Sequence, residues 1–247
     1  MRLVSGAAVL AWLVARRAES GRGRGNWTSG AWLFAYAVPF SFAYRTLDAG
    51  TGALILFGAV QTTMLAAGLL GGERPRVSQW LGLAVAIGGL VYLLLPGAEA
   101  PGAAGFALMA TAGAAWGAYS LRGRGARDPL GETAGNFLRS VPLVALVLAA
   151  LSVFHAPRFS TEGVALAATS GALASGLGYS VWYAALPGLS AVQAASVQLA
   201  VPVLAAVGGV VFMSETVGLR LAVASALILG GVGLSLRRPA RAAEARP

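Results

Sequence analysis

Tyr179, Trp182 and Tyr183 stand at i, i+3 and i+4, the spacing that places three side chains on one face of a helix. Trp116 and Tyr119 are three apart and share a face in the same way. Rings with hydroxyl and indole N–H groups on one face do the chemistry of recognition: they stack on a solute and hydrogen-bond it. The alternatives are an aromatic belt at a membrane interface, or plain packing. Trp27 and Trp80, near the ends of apolar runs, are read as belt residues. Tyr36 and Tyr44 are counted with the recognition residues, as are Gln61 and Gln198, the uncharged polar side chains at depth. A buried amide in hydrocarbon either joins helices or meets a solute. Thr62, Thr63 and Ser196 are expected to bond back to their own helices. Pro39 and Pro202 fall inside apolar runs, where each removes a backbone hydrogen bond and kinks its helix. Such kinks either shape a bundle or act as hinges. Gly113 and Gly117, with Trp116 between them, make a small-residue face suited to close helix packing.

Bond-making chemistry has little to work with. There is no Cys and a single His, His155, so disulfides, thiol nucleophiles and Cys/His metal sites are excluded. The nine acidic residues are Glu19, Asp48, Glu73, Glu99, Asp128, Glu132, Glu162, Glu215 and Glu244. All fall in loops, at helix ends or in the tail. Glu73 and Glu215 are read as turn or helix-start residues, each favouring the N-terminus of the helix that follows it. With His155 read as a loop residue, neither an intramembrane enzyme nor a carrier coupled through a buried acid is expected. No cofactor and no metal is expected. An aromatic path without buried charge favours neutral, zwitterionic or amphiphilic solutes. The Gly-Arg loops at 21–25 and 122–125 lack the strand-turn-helix context of a phosphate-binding fingerprint.

The elements that must position these residues are membrane helices. Hydrophobic residues make up 57% of the 247 and charged residues 11%. Nine apolar stretches, near 2–15, 30–47, 52–71, 77–97, 102–121, 136–154, 162–186, 189–213 and 217–236, mostly approach the roughly 20 residues that cross a bilayer. Irregular backbone cannot face lipid, and the runs lack the alternation of a barrel strand, so the fold expected is an all-α polytopic membrane helix bundle of nine spans. Gly50 to Gly52, Pro96-Gly97, Pro101-Gly102 and Pro187-Gly188 punctuate the joints.

The net charge of +9 comes entirely from Arg. Thirteen arginines lie on one side: 16, 17, 22 and 24, then 74 and 76, then 122, 124 and 127, then 237, 238, 241 and 246. Four lie on the other, at 2, 45, 158 and 220, with Arg139 at the start of a span left out of the count. That asymmetry is the signature of cytoplasmic loops. It argues against a nucleic-acid partner and places the C-terminus inside. It also puts Asn26-Trp27-Thr28, a glycosylation sequon, on the cytoplasmic side.

At a shift of 142 residues Glu73 falls on Glu215, Ala84 on Ala226 and Gly88-Gly89 on Gly230-Gly231. The 77–97 helix runs outward and the 217–236 helix inward, so the repeats are inverted, an arrangement typical of secondary transporters with a substrate site between the repeats. The repeats are unequal, four helices (1–97) and five (98–236), followed by an Arg-rich cytoplasmic tail (237–247). The helix at 2–15 is also short, about 14 residues or roughly 21 Å against a core of about 30 Å. Both facts fit a chain that lacks its first helix.

The run Arg2-Leu3-Val4-Ser5-Gly6 resembles the start of the second helix in the drug/metabolite transporter superfamily, EamA-type. Tyr44 to Leu47, Gly50 to Leu54 and Gly72-Glu73-Arg74 resemble its third and fourth helices. Gly178 to Leu186, Gln198 to Pro202 and Ser214-Glu215 match its closing pattern. The resemblance implies ten helices in two inverted sets of five, cytoplasmic termini, a plasma (inner) membrane location and transport, often export, of small metabolites such as amino acids. The alternative is a non-transporting scaffold or a decayed, truncated transporter. Substrate, coupling ion and oligomeric state are not set by the sequence.

Overall fold

The computed structural model describes residues 1–16, 25–95, 101–154, 160–213 and 218–237. His155, Glu19, Glu99, Glu215, Glu244, Pro96-Gly97, arginines 17, 22, 24 and 158 and the tail from 238 lie outside the described residues. Helices occupy all nine expected stretches. They are α1 (Arg2–Ala15), α2 (Trp27–Ala43), α3 (Ala49–Leu70), α4 (Val77–Leu94), α5 (Ala103–Gly123) and α6 (Pro129–Phe154). Then come α7 (Thr161–Ser170), a π-helical segment (Gly171–Leu177) and α8 (Gly178–Ala185), which run on as one rod, and α9 (Ala191–Gln198), α10 (Val201–Met213) and α11 (Leu219–Leu236). Among the described residues six stretches are long and apolar enough to cross a membrane: α3, α4, α6, the rod Thr161–Ala185, Ala191–Gly208 and α11. The other three are α1 with 14 residues, α2 with 17, and α5, which is long but rich in Ala and Gly. The polytopic helical bundle stands.

Helix ends follow their caps more than the apolar runs. Asn26 Oδ1 accepts the Ser29 N–H (2.8 Å), so α2 starts at Trp27 and not at 30. Asp48 Oδ1 accepts the Thr51 N–H (2.8 Å), which starts α3 at Ala49. Gly50 and Gly52 are therefore in its first turn and do not form a joint. A Cβ on Gly52 would lie 2.5 Å from the Tyr44 ring, so the glycine makes room for the tyrosine. Pro129, with Asp128 accepting the Gly131 N–H (3.1 Å), starts α6 about two turns before the expected 136. Gly188 turns the chain at φ +87°, as its place after Pro187 suggested.

The prolines behave differently from one another. The helical run breaks at Leu199 and Ala200, just before Pro202, whose ring excludes the Gln198 carbonyl bond. Pro39 sits inside an unbroken α2, as Pro142 does inside α6.

By packing, the chain divides into two units, and each draws helices from both sequence halves. The first holds α1, α2, most of α3, α5, α6, and the α7–α8 rod; the second holds the end of α3, α4, α9, α10 and α11. In the second unit α4 packs along α11. A Cβ on Gly89 would meet Leu227 and Ile228, and one on Gly231 would meet the Gly82 carbonyl and the Ala86 N–H. Shift each position by 142 and the contact of Gly89 with Ile228 becomes the contact of Gly231 with Ala86. Gly82 meets Ser235 farther along, so residue numbers rise on one helix as they fall on the other: α4 and α11 are antiparallel. The seam is thus self-complementary at that shift.

Candidate functional site

In the first unit the α1 backbone presses against the π segment. A Cβ on Gly171 would collide with Ser5 Oγ and the Arg2 carbonyl, and one on Gly6 would lie 2.6 Å from the Phe137 ring. Glycines at both positions let the helices approach at backbone distance. The consequence is local and chemical. Arg2 Nε donates to Ser175 Oγ (2.6 Å) and Arg2 Nη2 donates to the Tyr179 hydroxyl (3.0 Å). The Tyr179 hydroxyl in turn donates to that of Tyr36 (3.3 Å). Ser175 and Tyr179 lie four apart across the end of the π segment, a feature that recurs at functional positions of helices.

Around these groups the rings form one continuous cluster. Trp116 lies 4.6 Å from Tyr179 and 4.9 Å from Tyr36, centroid to centroid. Tyr36 reaches Phe40 at 5.3 Å, and Phe40 reaches Tyr44 at 4.9 Å. Phe137 stands 5.8 Å from Tyr179. Trp116 continues to Tyr119 at 5.7 Å, and Tyr119 to Tyr183 at 4.8 Å. The interplanar angles are tilted or edge-on, the geometry that aromatic quadrupoles favour. Arg2 is half-buried, with its guanidinium carbon 5.7 Å from the centre of the Phe40 ring.

The cluster is closed at one end. Tyr119 and Tyr183 are buried, and the Tyr183 hydroxyl donates to the Tyr119 carbonyl (3.1 Å). Beyond them Arg122 Nε donates to Ser29 Oγ (2.8 Å) and Arg122 Nη2 to Asn26 Oδ1 (3.1 Å). The Asn26 N–H donates to Asn136 Oδ1 (3.0 Å), and Arg124 Nε donates to the Leu189 carbonyl (2.9 Å). This polar network ties the starts of α2 and α6 to the end of α5, at the Arg-rich end of those helices.

The structure therefore brings Tyr36, Tyr44, Trp116, Tyr119, Tyr179 and Tyr183 into one cluster. Trp182 does something else: its indole N–H donates to Ser120 Oγ (3.0 Å), which pins α8 to α5. Gln61 is buried on α3 in the first unit. Gln198, in the second, donates to Met64 Sδ (3.1 Å) and to the Ala194 carbonyl of its own helix (3.4 Å), the role of helix glue. Thr62 and Ser196 bond back to the Gly58 and Val192 carbonyls as expected (both 2.8 Å). Gly113 packs against the Leu56 carbonyl of α3.

Two expectations need correction. The ring-lined region is not free of charge, because Arg2 stands in it. Glu73 was expected to favour the helix that follows it, yet its carboxylate accepts the Ala191 N–H (2.8 and 3.1 Å) and so caps α9. Arg2, Ser175, Phe40 and Phe137 were not read as site residues. For Phe40 the signal was available, since Tyr36, Phe40 and Tyr44 repeat every four residues along one helix face.

The sequence from 103 to 237, α5 through α11, matches the model of the EamA-like transporter family. The chain belongs to that family. An EamA-like transporter is a membrane protein that carries small molecules, and the members are carriers and not enzymes. An uncharacterized protein of Pseudomonas aeruginosa is 55% identical over 238 residues, which is 96% of this chain and 82% of the relative. A crystal structure of a protein superposes with a TM-score of 0.77 at 22% identity, over 95% of this EamA-like chain and 84% of that one, a likeness of fold.

Proposed function

We propose that the chain is a permease of the plasma (inner) membrane that exports small metabolites, amino acids or related compounds, by alternating access between two inverted repeats, residues 1–97 and 98–236. The observation that carries this reading is the ring cluster of Tyr36, Trp116 and Tyr179 gathered on α2, α5 and α8 around one half-buried cation. Rings and hydroxyls on three helices recognise a solute, whereas a scaffold needs no such polar chain in its interior. The closed end of the cluster carries Arg122 and Arg124, which supports a cytoplasmic assignment for that end and, by alternation of the helices, for the C-terminus.

The test is counterflow in proteoliposomes holding the full chain, with a pool of labelled amino acids and related metabolites. Saturable counterflow that Tyr179→Ala abolishes while the protein stays folded sustains the reading. No flux of any pooled solute by folded wild-type protein, in either insertion direction, would turn the reading to a non-transporting scaffold.

A further inference from the structure

Arg16 and Arg45 each stand over a single ring, Trp12 and Phe42, whereas Arg2 meets several rings and hydroxyls. Arg122 and Arg124 bond serine, asparagine or carbonyl oxygens near helix ends, and Arg139 bonds the Gly135 carbonyl of its own helix. Arg2 stands instead among rings: Phe40 under its guanidinium, and Tyr36 and Tyr179 beside it. Its partners Ser175, Tyr179 and Tyr36 are all neutral hydroxyls. The described carboxylates are placed elsewhere. Asp48 is on the Thr51 N–H, Glu73 on the Ala191 N–H, Asp128 on the Gly131 N–H and Glu132 on the Arg127 N–H, and Glu162 lies in the first turn of α7. Among the described residues none of them meets Arg2. A cation within an apolar bundle is costly unless something answers its charge, and among the described residues Arg2 meets hydroxyls and ring faces.

We propose that Arg2, with the Ser175 and Tyr179 hydroxyls, is the subsite that takes the carboxylate of the transported solute, so that the permease selects solutes carrying one carboxylate and an apolar or aromatic body. The inference deepens the permease reading and rests on it. A guanidinium has five N–H donors in a fixed fork; with Ser175, Tyr179 and Tyr36 as hydroxyl partners, the remaining donors fit a carboxylate in the bidentate fashion arginine favours. Tyr179 and Ser175 hold the fork in place, and so act as positioning residues for Arg2. Trp116, Tyr36 and Phe40 then offer ring faces to the solute's body. Charge count selects the acid: one guanidinium neutralises one carboxylate, whereas a phosphate dianion would leave a net negative charge in hydrocarbon.

The experiment uses the full chain with four probes: 3-phenylpropanoate, its primary amide, phenyl phosphate and leucine. Counterflow competition gives the transport readout, and the shift of thermal unfolding in detergent gives a binding readout that needs no transport. The acids are expected to compete at concentrations about tenfold or more below the amide, the effect of losing a charged hydrogen bond. Arg2→Gln is expected to erase that preference by weakening the acids and leaving the amide unchanged, while Arg2→Lys keeps it in part. Should Arg2→Gln fail to fold, Arg2→Lys and the wild-type ratio of acid to amide decide. Equal competition by acid and amide, or phenyl phosphate competing as well as the acids, overturns the subsite and leaves the permease standing. Acid-specific stabilisation of a protein that moves nothing sustains the subsite and overturns the permease. Neither competition nor stabilisation by the acids overturns the subsite.

Discussion

Both packing units use glycines for close helix approach, but they differ in what fills their interiors. In the second, Gly82, Gly89 and Gly231 bring α4 and α11 together at backbone distance, with nothing larger than Ala86 and Ile228 at the contacts. In the first, the interior is filled by rings from α2, α5, α6 and α8 and by one arginine. Lipid provides no hydrophobic drive for helix association, so a glycine seam gains its stability from close van der Waals contact. Such a seam is rigid and has no room for a guest. A ring cluster is bulkier, less regular and dotted with hydroxyls, and its contacts can be exchanged for contacts with a solute. Stability is expected to reside in the seam and recognition in the rings.

The strongest way to break this division is Gly231→Leu. A Cβ there would lie 2.5 Å from the Gly82 carbonyl oxygen and 2.6 Å from the Ala86 N, both backbone atoms that cannot swing aside. Forcing a leucine into that contact should cost about 3 kcal/mol or more. The expected outcome is a large fall in thermal stability in detergent and in the yield of folded protein. Whatever fraction folds should keep the wild-type KM. A normal melting curve for this variant would mean that the seam does not hold the unit together.

Tyr179→Phe cuts the other way. It keeps the ring contacts with Trp116 and Phe137 but removes the hydroxyl that links Arg2 to Tyr36. One hydrogen bond of this kind is worth roughly 1 kcal/mol, so KM for the preferred solute should rise about fivefold. The melting temperature should stay within a few degrees of wild type. A change in stability with no change in KM would make the cluster a packing core and end its claim to recognition.

How far each region was legible in the sequence follows from how local its interactions are. The glycine pairs Gly88-Gly89 and Gly230-Gly231 could be read as one repeated pattern in a single register, although the pattern alone did not say that the two helices meet. The shared face of Tyr179 and Tyr183 was legible from helical spacing, and so was that of Trp116 and Tyr119. Arg2 was not: its partners lie 173 and 177 residues away, and no local spacing announces a pairing made by the crossing of two helices at Gly6 and Gly171. Trp182 has the spacing of a site residue, yet its indole turns to Ser120. Spacing fixes a face and says nothing of which neighbour the face meets. Glu73 shows the same limit, since its place before α4 suggested one helix terminus and the fold gave it another.

Glu73→Gln tests a smaller stabilising contact in the second unit. The carboxylate sits at the N-terminus of α9, where the unpaired N–H groups and the helix dipole favour negative charge, beside the capping box of Ser190 and Gln193. Glutamine can still accept the Ala191 N–H, so only the charge is lost. A loss of about 0.5 to 1 kcal/mol is expected, and it should shrink as salt is raised. KM should not move, because the contact belongs to the region assigned to stability. A raised KM at unchanged stability would show that this helix start takes part in recognition.

The smallest effect is expected from Asp48, which lies outside the spans and starts α3. Hydrogen bonds from Thr51, side chain and backbone, hold its carboxyl below the usual aspartate range. The sign follows from proton linkage: the folded protein binds the proton less readily than the unfolded chain does. The capping contribution is therefore fully present above the ordinary aspartate pKa and is lost as pH falls through the lowered folded value. Because the group is exposed to solvent, the contribution is small and screened by salt. Melting curves of wild type and Asp48→Asn should converge as pH falls from neutral toward 3. At neutral pH the variant should melt slightly lower, since asparagine keeps an accepting oxygen but not the charge. Transport should be indifferent to both changes, although Tyr44 packs against Gly52 one turn away. A KM that shifts with Asp48→Asn would extend the recognition region along Tyr44 to the start of α3, and the boundary between the stabilising and recognising parts of the molecule would have to be drawn within that helix.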